Sequence, residues 1–136
     1  MEHKFIDIIP IEIENNVLYI SLKYNVTKHL CPCGCGSEIV ATLSPVRYQL
    51  YYDGKTVSLT PSFGNWLHEC KSHYLIKKDK VVWANPMSKN KMEAVIKKDK
   101  KEIKEYINKK KTKNLSEPVS KKKSLFERII SRIFKS

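Results

Sequence analysis

Three cysteines fall within five positions, Cys31, Cys33 and Cys35, with His29 just ahead of them and Gly34 and Gly36 interleaved; the fourth, Cys70, opens the run Cys70-Lys71-Ser72-His73. Thiols gathered this way, beside glycines that free the backbone to wrap around a centre, point to a bound metal ion. A C-x-C pair on one loop and a C-x-x-H pair on another are the two half-sites of a structural zinc centre. Disulfides fit poorly, because Cys31, Cys33 and Cys35 are too close together to bridge easily and only one of them can pair with Cys70. His29, Cys31, Cys33, Cys35, Cys70 and His73 therefore compete for four coordination positions. Either three thiolates are joined by His73, or all four thiolates bind and His73 is left free. Both shells are closed to water, so the metal, Zn2+ by the preference of thiolate-rich sites, stabilises the fold and activates no nucleophile.

A second chemistry lies between the two half-sites. Thr56-Val57-Ser58-Leu59-Thr60-Pro61-Ser62-Phe63-Gly64-Asn65-Trp66 runs out of a strand into a Pro/Gly/Asn loop and on to Cys70, which brings Ser62, Asn65 and Trp66 near the metal. In structural terms the loop turns the chain and Trp66 caps the core. In functional terms Ser62 is a nucleophile, with backbone amides around Gly64 as oxyanion donors. Its base is His73 if the metal takes all four cysteines, and His29 or His68 if His73 is itself a ligand. Ser72 is a second candidate nucleophile, although neighbours on a strand face opposite ways, which argues against a Ser72–His73 pair. Asp53 is a nominal catalytic acid, sitting in an expected turn.

The elements that must hold these residues divide sharply by charge. Residues 1–76 carry six Lys/Arg against seven Asp/Glu, a net −1, while residues 77–136 carry twenty against seven, a net +13. The first part reads as short strands at 4–9, 17–22, 38–43, 47–52, 55–59, 73–77 and 81–84, rich in β-branched and aromatic residues. Asp53-Gly54 and Lys78-Asp79 mark hairpins. The expected architecture is mainly β, a small antiparallel meander or barrel over residues 1–86 with two metal-binding loops, small enough for a metal to help a limited core. A basic amphipathic helix follows at 87–113, where Met92, Val95, Ile96, Ile103, Tyr106 and Ile107 recur at helical spacing among lysines. Residues 114–120 read as a linker. Residues 121–136 read as a C-terminal amphipathic helix striped by Leu125, Phe126, Ile129, Ile130, Ile133 and Phe134, too short to span a bilayer. No apolar leader-like run precedes the first strand, so the expected compartment is the cytoplasm. The lysine-rich tail suits non-specific binding to polyanions, but it lacks the arginine forks and interleaved aromatics of a base-reading surface.

Two resemblances bear on these residues. The paired loops, with His29-x-Cys31 and Cys70-x-x-His73, resemble the loop tips of Rieske domains, which implies a [2Fe–2S] cluster and electron transfer; the first loop departs from the Rieske order, reading H-x-C where that module has C-x-H. More specifically, His29 to Gly36 as His-x-Cys-x-Cys-Gly-Cys-Gly, Val57 to Trp66 as Val-Ser-Leu-x-Pro-Ser-x-Gly-Asn-Trp, and Cys70 to Ile76 as Cys-x-Ser-His-Tyr-x-Ile with the Val81-x-Trp83 strand behind them, resemble a family of short, mostly uncharacterised, cysteine-rich bacterial proteins. Members of that family are often encoded beside ubiquitin-like modifiers and their activating and conjugating enzymes. The resemblance implies a role in such a pathway, with the modifier or those enzymes as partners and antiphage defence as a setting. A serine peptidase or isopeptidase that trims or removes the modifier is the activity that fits Ser62, Ser72 and His73; a non-catalytic zinc-held adaptor is the alternative, ahead of nucleic-acid binding.

Overall fold

The computed structural model describes residues 1–116; the expected helix at 121–136 and most of the 114–120 linker lie outside them. Eight strands precede one long helix: β1 (Glu2–Phe5), β2 (Val17–Ser21), β3 (Val26–Leu30), β4 (Glu38–Thr42), β5 (Gln49–Tyr52), β6 (Val57–Gly64), β7 (His73–Lys77), β8 (Lys80–Trp83) and α1 (Lys89–Ser116). They form two four-stranded sheets, ordered β1-β2-β3-β4 and β5-β6-β7-β8. The mainly β class therefore holds, as two sheets around one core. One pairing is parallel, β1 with β2. Such a pair needs a long connection, and the 6–16 segment supplies it. That segment lies over β2, where the Ser21 hydroxyl donates to the Asp7 carbonyl and the Glu14 amide donates to the Tyr19 hydroxyl. Every residue of β2 is consequently buried.

Period-two alternation sets the core. Ile39 and Ala41 of β4, Val57, Leu59 and Phe63 of β6, and Tyr74 and Ile76 of β7 point inward and meet Leu18 and Ile20 of β2 in one cluster. Phe63 stacks on Tyr74 and Tyr48 on Phe63, at 5.3 and 4.5 Å between ring centres. The Lys78-Asp79 turn has positive φ at both residues, the geometry of a tight two-residue hairpin. At Asp53-Gly54 the loop is longer, and the Asp53 carboxylate takes the Lys55 and Thr56 amides.

Two differences from the sequence reading have physical causes. β3 lies where only a metal loop is expected, because Val26-Thr27-Lys28-His29-Leu30 buries Thr27 and His29 instead of aliphatic side chains. β6 runs on through Pro61, a residue that central strands exclude unless the ladder is broken. Here it is broken: Leu59 pairs with Ile76 but Phe63 with Tyr74, so Thr60, Pro61 and Ser62 stand opposite Leu75 alone. This bulge carries Ser62.

Ser88 opens α1, its carbonyl accepting the Met92 amide and its hydroxyl the Lys91 amide. The helix continues through Asn114 and Leu115 to Ser116. The chain divides into two compact units, Met1–Asp99, which holds both sheets and the first turns of α1, and Lys100–Ser136. No helix among the described residues is long and apolar enough to cross a membrane.

Candidate functional site

The first cysteine loop leaves β3 at Leu30 and returns into β4 at Glu38. The Cys31 amide donates to the Ser37 carbonyl and the Gly34 amide to the Cys31 carbonyl, which folds the loop into a knuckle. Gly34 and Gly36 have φ near +88° and +79°, a backbone that other residues adopt only with strain. The second loop closes on itself between β6 and β7. Asn65 donates from its amide to the Ser72 carbonyl, His68 to Asn65 and Lys71 to His68, and these turns return Cys70 to the first knuckle.

Together the loops bring the sulfurs of Cys31, Cys33, Cys35 and Cys70 within 4.8 Å of one another. Separations of 3.3 Å for Cys31–Cys33, 3.9 Å for Cys31–Cys70 and 3.8 Å for Cys35–Cys70 are far beyond a disulfide bond. They match a tetrahedron around one ion, whose edges are about 3.8 Å for metal–sulfur arms of about 2.3 Å. The four cysteines could therefore hold a metal ion. Neither histidine of the rival ligand sets joins them. Ser72 donates to Cys70 Sγ at 3.3 Å and lies 3.5 Å from Cys31 Sγ, and the Asn65 side-chain amide donates to Cys31 Sγ at 3.3 Å. Burial pushes the Cys31 thiol up to about 12, whereas hydrogen bonds with Ser37 pull exposed Cys35 down to about 6 and those with Ser72 lower Cys70.

On the other face of β7 a different pair forms. Gly64 is registered against His73, and Ser62, two residues back on the bulged strand, shares their face. His73 Nε2 lies 2.9 Å from Ser62 Oγ, and His73 Nδ1 lies 2.8 Å from the Asn85 carbonyl oxygen. A carbonyl can only accept, so Nδ1 carries a proton, and in the neutral tautomer this selects, Nε2 is the nitrogen left to accept from the serine. The Trp66 indole lies against His73, ring centres 5.1 Å apart, and over the bare Cα of Gly64, where an added Cβ would fall 2.1 Å from the indole. Trp66 thus stands over the Ser–His face and takes no part in the core.

A family model described as bacterial ubiquitination-like system serine protease (BubE) matches residues 5–84. The chain belongs to the BubE family. No curated protein and no solved structure matches it. The matched stretch contains all four cysteines, Ser62 and His73, and ends one residue before Asn85.

The remaining candidates sit elsewhere. His29 is fully buried with Nε2 2.7 Å from the Tyr74 hydroxyl, and burial lowers its imidazole to about 4. His68 is exposed on the second loop. Among the described residues Ser62 is the serine whose hydroxyl meets a histidine. Ser72 faces the sulfurs, away from His73, as strand alternation requires. Asp53 spends its carboxylate on its own turn. The Asn65 amide beside Gly64 is occupied by Ser72, so it is not free as an oxyanion donor. Sequence reasoning missed the Asn85 carbonyl, since a backbone acceptor has no side-chain signature. Its one trace is the following Pro86, which holds Asn85 out of helical geometry.

Proposed function

We propose that the protein is a serine peptidase of its ubiquitination-like system, with Ser62 as nucleophile and His73 as general base, acting on the peptide or isopeptide bond that joins a ubiquitin-like modifier to its extension or target. The observation that carries this reading is the 2.9 Å contact between Ser62 Oγ and a His73 Nε2 whose tautomer is fixed by the Asn85 carbonyl. As Ser62 Oγ bonds to the scissile carbonyl carbon, its proton passes to His73 Nε2. His73 then returns that proton to the leaving amine as the C–N bond breaks, and water, deprotonated by the same nitrogen, releases the acyl group from Ser62. A neutral carbonyl orients the imidazole but stabilises the imidazolium less than a carboxylate would.

The four cysteines suit Zn2+ in a closed tetrahedral shell; sulfurs gathered this tightly enclose one ion better than a two-iron cluster. When bound, such an ion contributes a cross-link and no open coordination position. It ties the β3–β4 loop to the β6–β7 loop, and so fixes the entry of the strand that carries His73. The expected partners are the modifier and its conjugation enzymes, and the expected setting is the cytoplasm and antiphage defence.

The test is cleavage of a modifier–reporter fusion by wild type and by Ser62→Ala, His73→Ala and Ser72→Ala. Cleavage lost in the first two and kept in the third supports the reading. Unchanged cleavage in Ser62→Ala overturns it, and no cleavage by wild type favours an adaptor.

A further inference from the structure

Beside the Ser62–His73 pair, within the Met1–Asp99 unit, lies a groove of about 500 Å³ whose apolar walls are Trp66, Pro86, Met87, Met92 and Ile96, with Lys71 at its rim. Its volume falls within the range of small-molecule and side-chain pockets, roughly 300–1,000 Å³. Trp66 belongs both to this groove and to the active face, since its ring centre is 5.1 Å from that of His73. Trp66 is the wall that connects the two, so a substrate chain held at Ser62 and passing over the indole enters the groove from the His73 side. Met87 and Met92 are conformationally adaptable and, with the stiffer Ile96, make an apolar wall that accepts apolar side chains of varied shape. Lys71 and Lys89 on the lining outnumber Glu93, so the rim is weakly positive, and selection of an apolar over an acidic side chain has to come from the apolar walls.

Resting on the serine-peptidase reading, we propose that this groove is a specificity subsite that seats a large apolar side chain of the substrate next to the scissile bond. Trp66 and Lys71 come from the family-matched stretch, whereas Pro86, Met87, Met92 and Ile96 lie beyond residue 84. The groove therefore joins a shared catalytic face to a wall supplied by the segment after β8 and the first turns of α1. Substitutions in 86–96 change which substrate is chosen while the bond-breaking groups stay the same.

The probes are p-nitrophenyl esters of N-acetyl-leucine, N-acetyl-glycine and N-acetyl-aspartate, together with a fluorophosphonate that labels an activated serine, all used on the full-length protein. Wild type is expected to favour the leucine ester over both others by about 10-fold or more in kcat/KM. Met92→Asp, which puts a charge in the wall, is expected to reduce that ratio below about threefold; Met92→Trp, which fills the groove and keeps it apolar, is expected to do the same should the aspartate variant fail to fold. Equal use of the three esters by wild type overturns the subsite, as does an unchanged ratio in a folded Met92 variant. Absence of fluorophosphonate labelling at Ser62 is a different failure, which removes the serine reading itself and the subsite with it.

Discussion

The cysteine cluster and the Ser62–His73 pair meet at one end of β7, on opposite sides of the chain, and are assembled by different means. Ser62 and His73 belong to neighbouring strands of one sheet, and the register Gly64 to His73, with a bulge behind it, is enough to bring them together. The sulfurs come from loops of both sheets, Cys31, Cys33 and Cys35 between β3 and β4, and Cys70 between β6 and β7. One site is made by strand pairing, and the other draws its residues from loops of two sheets, which a shared metal ion would cross-link. Ser72 and His73 mark the boundary, adjacent in the chain and turned to different chemistries. This difference teaches that chemistry and stability should separate under mutation on one side and fall together on the other.

The largest expected effect is on the strand-built side. Ser62→Ala and His73→Ala should each lower kcat on a modifier fusion by at least about a thousandfold, while the melting midpoint moves by no more than about 2 °C. Single-turnover assays and calorimetry on the same samples check both halves. A large drop in melting temperature for either variant would erase the proposed separation.

Metal removal should act on the other side. A strong chelator, or Cys70→Ala, is expected to lower the melting midpoint by well over about 10 °C, since structural zinc contributes directly to folding in domains of this size. Activity should be lost with it, because the strand entering at His73 is then unanchored. Ser72→Ala sharpens the contrast. Removing the hydroxyl that donates to Cys70 Sγ should weaken metal binding by about 10- to 100-fold in competition with a chromophoric chelator, and should change kcat of the metal-loaded protein by less than about threefold. An equal loss of kcat in Ser72→Ala and Ser62→Ala would reassign the nucleophile.

What the sequence revealed follows the same division. The thiol spacing announced the cluster because ligand chemistry is carried by residue types: Cys31, Cys33, Cys35 and Cys70 are recognisable wherever they fold. Ser62 and His73 are visible as residues, but spacing alone leaves the serine's partner open among His29, His68 and His73, since the pairing depends on a register that bulges at Thr60, Pro61 and Ser62. His29 misled because its type suits a ligand or a base, whereas burial beside Phe63 and Tyr74 makes it part of the core. The strands with alternating Val, Ile and Tyr were legible. β3 was not, since Lys28 and His29 interrupt its apolar pattern.

A smaller effect probes the face shared by Gly64, Trp66 and His73. Gly64→Ala would set a methyl group 2.1 Å from the indole, so Trp66 must move and His73 loses the ring that packs against it. kcat should fall about 10-fold with little change in metal content. Asn85→Ala is the matched control for the backbone argument. The carbonyl that accepts from Nδ1 remains, so kcat should stay within about twofold of wild type, and a drop as large as that of His73→Ala would mean that the side chain carries the contact.

The smallest effect belongs to the turn before β6, far from both chemistries in kind. Hydrogen bonds from Thr56 and Lys55 lower the Asp53 carboxyl from 3.8 to about 2. A carboxyl whose folded value lies below its unfolded one binds fewer protons in the folded state, so its contribution is full above about pH 4 and is lost as pH falls through about 2. Being fully exposed, it should move the urea midpoint only slightly. Release of a metal held by the cysteines would dominate the raw profile in acid, because the thiolates are protonated there. The informative quantity is therefore the difference between wild type and Asp53→Asn, which should be constant above pH 4 and shrink below it. A difference that instead grows on acidification would show that the turn draws nothing from the ionised carboxylate.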